Sequence, residues 1–153
     1  MATKFEDINE TYVKKCFSEN IHCSQIVFSA GVDDEQMDPD MARKIGTAFG
    51  AGMWHGQTCG AVTGALMALG SHFGYSDPAD EETSNAFIEK KNEFEARFRE
   101  KFGSLLCREV TGLDPSVPED MQKIMDTQIW FKLCPSVVVS ACEILKDILE
   151  DYE

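Results

Sequence analysis

The sequence predicts an all-α fold: a compact single-domain bundle of six to eight helices, several of them short. Three observations carry that expectation. Apolar residues recur at helical spacing, as in Val62, Leu66, Leu69 and Phe73. No stretch shows the strict apolar–polar alternation of a half-buried strand. Capping residues at the starts and Gly or Pro at the stops cut the chain into many pieces. A chain of 153 residues is long enough to bury one core.

Taken in order, Thr3-x-x-Glu6 has the form of a capping box and predicts a helix from about Thr3 to Phe17. Ile8, Tyr12 and Cys16 fall on one face of it. Asn20 is a good N-cap for a short second helix carrying Cys23, Ile26 and Val27, with Gly31 as its C-cap. Gly31 to Met37 reads as an acidic turn, and Asp38-Pro39 opens a third helix. A glycine-rich loop follows, then a small-residue helix from Cys59 to near Gly74. Asp80 to Phe102 is the longest helix. Its acidic first turn and basic last turn both suit the helix dipole, and Phe87, Phe94 and Phe98 are core candidates. Ser104 is the expected cap of a short helix with Cys107 and Val110, ended by Gly112. Glu119 to about Leu133 reads as one helix, irregular at its end. Cys134-Pro135 opens the last helix, with Val138, Ala141, Leu145 and Leu149 inward.

The formal net charge of −13 argues against a nucleic-acid partner, because phosphate binding needs Lys and Arg. It serves solubility and allows docking on a basic protein. No run of about 18 apolar residues predicts a membrane span. Met1 to Asp7 lack the apolar core of a secretion signal, so the expected location is cytoplasmic. In that setting six cysteines point to metal or redox chemistry before structural disulfides, and the absence of any Cys-x-x-Cys pair removes the thioredoxin-type and zinc-ribbon readings.

The stretch Phe49 to Gly70 organises the chain. Gly50, Gly52 and Gly56 make a poor helix and a good loop, able to fold closely around a sulfur at Cys59. Cys23 and Cys107 each stand three residues after an N-cap candidate. Cys59 follows Thr58 at a helix entrance, and Cys134 would itself be an N-cap. All four thus fall in a first helical turn, where free N–H groups and the positive dipole end favour thiolates and lower their pKa. Four such ends converging would suit a [2Fe–2S] cluster, which is a dianion when oxidised and held by four thiolates. The alternative is that each cysteine is a small buried apolar residue. Cys16 and Cys142 lie away from any helix start.

Among the other residues, His22 and His55 are read as partly exposed loop histidines. The alternatives are a ligand, a base for a thiolate or a donor to sulfur. His72 is read as structural, Met53 and Trp54 as core rather than as a shield, and Glu89 to Glu93 as a solvated face. No P-loop, Rossmann fingerprint or Gly-x-Ser-x-Gly is present.

Four elements together resemble the C_GCAxxG_C_C family, named for redox activity. They are Asn20-Ile21-His22-Cys23-Ser24-Gln25, Cys59-Gly60-Ala61-Val62-Thr63-Gly64-Ala65-Leu66, Phe102-Gly103-Ser104-Leu105-Leu106-Cys107-Arg108-Glu109, and Cys134-Pro135. That family is similar to the N-terminal region of split-Soret cytochromes, an all-helical domain carrying an iron–sulfur cluster. The resemblance implies Cys23, Cys59, Cys107 and Cys134 as ligands, and leaves Cys16 and Cys142 unmatched. It implies an electron carrier or redox sensor more than a catalyst, with a [2Fe–2S] cluster, a redox partner protein and room for a homodimer. A metal-free thiol–disulfide protein and a helical binding module with structural zinc are the alternatives.

Overall fold

The structure, a computed structural model, describes residues 5–151. Among these are nine α-helices and no strands, seven of the helices at least seven residues long. They are α1 (Glu10–Ser18), α2 (Cys23–Gly31), α3 (Pro39–Ile45), α4 (Gly60–Phe73), α5 (Glu81–Phe102), α6 (Cys107–Thr111), α7 (Pro118–Thr127), α8 (Ile129–Lys132) and α9 (Cys134–Asp151). The all-α expectation holds.

Small residues make α4 the centre. Gly60 and Gly64 lie one turn apart on the face toward α2, and a Cβ on Gly64 would stand 2.7 Å from the Ser24 carbonyl oxygen. Only glycine lets the two backbones come that close. The apolar stripe of α9 (Val138, Ala141, Leu145 and Leu149) is buried against α4, α5, α2 and α1. Phe94 and Phe98 of α5 are fully buried, each worth about 2 kcal/mol of transfer free energy. α5 is held at both ends: Asp80 accepts from the Thr83 N–H at 3.1 Å, and Gly103 leaves the helix at φ 80°.

Several boundaries differ from expectation. The first helix starts at Glu10, where Asn9 accepts from the Tyr12 N–H at 2.8 Å. Glu6 sits in a separate 3-10 turn, Phe5–Asp7, and Thr3 lies outside the described residues. Asn20 is not a cap: it takes a left-handed φ of 65° behind α1, and His22 caps α2. Gly31 is the last residue of α2, with Val32 as the C-cap. Ser104 is displaced likewise. Leu106 is the N-cap of α6, and the Ser104 hydroxyl accepts from the Leu106 N–H at 3.0 Å. The stretch from Glu119 to Leu133 is two helices, α7 and α8, because Gln128 adopts φ 56° between them. Cys134 is the first helical residue of α9 rather than its cap. Lys90 is buried, with its Nζ 4.6 Å from the centre of the Phe73 ring, so Glu89–Glu93 is not wholly a solvated face. No helix among the described residues is long and apolar enough to cross a membrane.

Candidate functional site

The four singled-out cysteines all stand at helix starts. Cys23 is the first residue of α2, Cys107 of α6 and Cys134 of α9, while Cys59 caps α4. Local chemistry sets each. At α2 the His22 N–H donates to the Gln25 side chain at 2.9 Å, and the Ser24 hydroxyl donates to the Gly46 carbonyl at 2.7 Å. At α4 the Val62 and Thr63 N–H groups donate to the Cys59 carbonyl. An antiparallel bridge between Thr58 and Leu106 joins the next pair. Across it the Cys59 N–H donates to the Leu105 carbonyl and the Cys107 N–H to the Gln57 carbonyl, each at 2.7 Å. Gly60 completes the approach. A Cβ there would lie 2.4 Å from the Cys23 sulfur and 3.0 Å from the Phe49 carbonyl oxygen.

These pieces bring all four cysteines onto one cavity of about 110 Å³. Its other walls are mostly apolar and aromatic, among them Phe17, Ala51, Trp54, Val110, Trp130, Phe131, Val137 and Val138. Cys16 and Cys142 do not line it and are buried in the apolar core instead. All six thiols are free. Residues 21–148 match the family described as "Putative redox-active protein (C_GCAxxG_C_C)". The chain belongs to the C_GCAxxG_C_C family. No curated protein and no solved structure matches it. The family's name writes Gly-Cys-Ala, whereas this member reads Cys59-Gly60-Ala61, the order that puts the glycine against the Cys23 sulfur.

The electrostatics of this family member's cavity reverse one expectation. The backbone N–H groups of Ala51, Ser24, Cys23 and Gly60 favour the Cys23 thiolate, and those of Ala61 and Val62 favour the Cys59 thiolate. Burial outweighs them, and the pKa values of all four are raised. Cys107 is pushed up to about 12, by burial first and then by Cys23 and Asp114. Cys134 is raised by burial and by Cys23, Cys59 and Cys107. Four thiolates crowded in an apolar cavity repel one another, so the uncharged form wins unless a cation sits among them.

The glycine loop is more structured than a loop. Gly46–Phe49 forms a 3-10 turn. Ala51, Gly52, Met53 and Trp54 then follow with φ of 50°, 62°, 58° and 63°. Four consecutive left-handed residues, three of them with a Cβ, cost about 1–2 kcal/mol for each non-glycine. Gly52 is obligatory, since its Cβ would stand 2.5 Å from the Gln57 nitrogen and 2.9 Å from the Cys107 Cβ. Met53 and Trp54 are not core, being 37% and 40% exposed. Trp54 lines the cavity, packed edge-on against His22 at 4.9 Å and Trp130 at 6.1 Å between ring centres. Phe131 meets Phe17 edge-on at 6.1 Å.

Of the histidines, His22 lines the cavity and burial lowers its pKa. His55 is exposed and outside the cavity lining, and His72 lies 2.9 Å from the Gly31 carbonyl oxygen in a structural contact. Sequence reasoning missed Ala51, Trp130 and Phe131. The only available signal was an aromatic pair, Trp130-Phe131, in the irregular stretch before Cys134.

Four cysteine sulfurs around one cavity are a donor set that fits a thiophilic group. Among the described residues no three His, Cys, Asp or Glu are gathered closely enough to hold a metal ion. A two-iron cluster asks for two thiolates on each iron, not three or four on one.

Proposed function

We propose that this protein transfers electrons or senses redox state through a [2Fe–2S] cluster held by Cys23, Cys59, Cys107 and Cys134. The observation that carries this is the meeting of four helix-start cysteines on one small apolar cavity, while the other two cysteines stay in the core. The donor chemistry supports it: soft thiolates suit iron–sulfur cores, and a cationic core relieves the repulsion that otherwise keeps these thiols protonated. When bound, the cluster supplies a one-electron couple. The protein's part is to present the sulfurs, aim backbone N–H groups at Cys23 and Cys59, and exclude water with Trp54, Trp130 and Phe131. Its partner is then a redox protein.

The raised thiol pKa values weigh against metal-free thiol–disulfide exchange, whose nucleophile is a thiolate. The test is protein made and purified without oxygen, with a visible spectrum and iron and sulfide analysis. Brown protein with iron and acid-labile sulfide in equal amounts is expected. Colourless protein lacking both, with one pair of thiols that resists alkylation only under oxidant, would overturn the proposal in favour of disulfide chemistry.

A further inference from the structure

We propose that the left-handed turn Ala51–Trp54 sets the reduction potential of the group held by the four sulfurs. Ala51 acts through its N–H on the Cys23 sulfur, and Trp54 by closing the cavity to water. This rests on the proposed cluster and assigns roles to residues outside its ligand set.

The turn holds four successive left-handed residues, three of them strained, and the side chains of Met53 and Trp54 bury only part of their surface in return. Met53 and Trp54 remain 37% and 40% exposed, and a hydrogen bond from the Gln57 N–H to the Gly52 carbonyl at 3.0 Å closes the segment. What the conformation achieves lies at the cavity. Ala51 lines the cavity together with Cys23, and its backbone N–H favours the Cys23 thiolate. Gly52 packs on Cys107, and Gln57 just beyond the turn accepts from the Cys107 N–H at 2.7 Å. Trp54 lines the cavity, packed against His22 and Trp130, and is 40% exposed. A relaxed right-handed backbone would lose both the N–H and the ring. Strain kept for only partial burial, beside a cavity lined by four cysteines, marks a segment shaped for its site.

The two contributions have opposite signs. A [2Fe–2S] core on four thiolates gains negative charge on reduction. An N–H directed at sulfur favours the more negative state and raises the potential. Exclusion of water penalises that state and lowers the potential. Trp54→Ala therefore shifts the midpoint potential upward and shortens the lifetime of the visible spectrum in air, and Trp54→Phe restores most of both. Met53→Ala, in the same turn but outside the cavity lining, leaves the potential where it was.

The experiment is a spectroscopic redox titration of wild type, Trp54→Ala, Trp54→Phe and Met53→Ala, each with iron and sulfide analysis. Two further measurements accompany it. Acrylamide quenching of tryptophan fluorescence in metal-free Trp130→Phe protein reads whether the Trp54 ring is sheltered over the cavity. Amide exchange reads the Ala51 N–H, which is expected to be slower in the loaded protein than in the metal-free one. Full iron and sulfide with the same potential in Trp54→Ala and wild type overturns the role of the turn and leaves the cluster standing. Equal shifts in Trp54→Ala and Met53→Ala overturn it too, because the effect then belongs to the loop as a whole. Wild-type protein without iron and sulfide overturns the proposed function and this inference together.

Discussion

Cys134 and Cys142 stand on the same helix, eight residues or about 12 Å apart, and their surroundings teach what the fold does with sulfur. Both are largely removed from water, and burial raises the pKa of both. What differs is the company. The secondary cause at Cys142 is its neighbour Glu143; at Cys134 it is Cys23, Cys59 and Cys107. Cys142 fills space among the apolar residues of the core. Cys134 faces three other thiols across a cavity that the core side chains do not fill. What separates the four cysteines proposed as ligands from Cys142 is therefore convergence rather than burial.

The largest effect should come from breaking convergence at the sulfurs. Serine at Cys23, Cys59, Cys107 or Cys134 should remove most of the iron and sulfide from anaerobically made protein. Cys142→Ala and Cys16→Ala should keep both and lose only about 1 kcal/mol of stability, the usual scale for a small core change. Metal analysis and urea denaturation on the six variants check this.

Next come the glycines that let α2 and α4 meet. Gly60→Ala drives a methyl against the Cys23 sulfur and Gly64→Ala drives one against the Ser24 carbonyl. Each should cost about 1–3 kcal/mol as overpacking, and Gly60→Ala should also lower iron content. Gly70→Ala, on the same helix with nothing within 4 Å of its Cβ, should stabilise by about 0.5–1 kcal/mol. Equal effects at all three positions would show that the close approach is not required.

A smaller effect separates the two cysteine groups by pH. Cys107 and Cys142 are both pushed from 9.0 to about 12 in the folded protein. The unfolded chain therefore loses those protons first. Their contribution to stability is complete below about pH 9 and is lost as pH rises toward about 12. Metal-free protein should show the loss from both groups in urea midpoints taken from pH 8 upward. Iron-loaded protein should keep only the Cys142 share, because sulfurs bound to metal no longer titrate.

The helix starts were legible because their signals are local. Asp38-Pro39, the small residues after Cys59 and the Pro after Cys134 act within one turn, so all four cysteines fell in first turns as read. The caps were misplaced by two residues at both Asn20 and Ser104. A polar side chain of the right type stood near each start, but the backbone turned just after it. The break at Gln128 and the left-handed run at Ala51, Met53 and Trp54 were not legible, since local preference opposes both. The direction of the thiol pKa shifts was missed for a different reason. First-turn N–H groups are readable from order along the chain, while burial and mutual repulsion appear only when distant segments meet.

Iron K-edge X-ray absorption on protein purified without oxygen tests convergence most directly. An all-sulfur first shell and a short iron–iron vector are expected, both lost in Cys134→Ser and both kept in Cys142→Ala. An iron bound by nitrogen or oxygen, or a spectrum without an iron–iron vector, would contradict it.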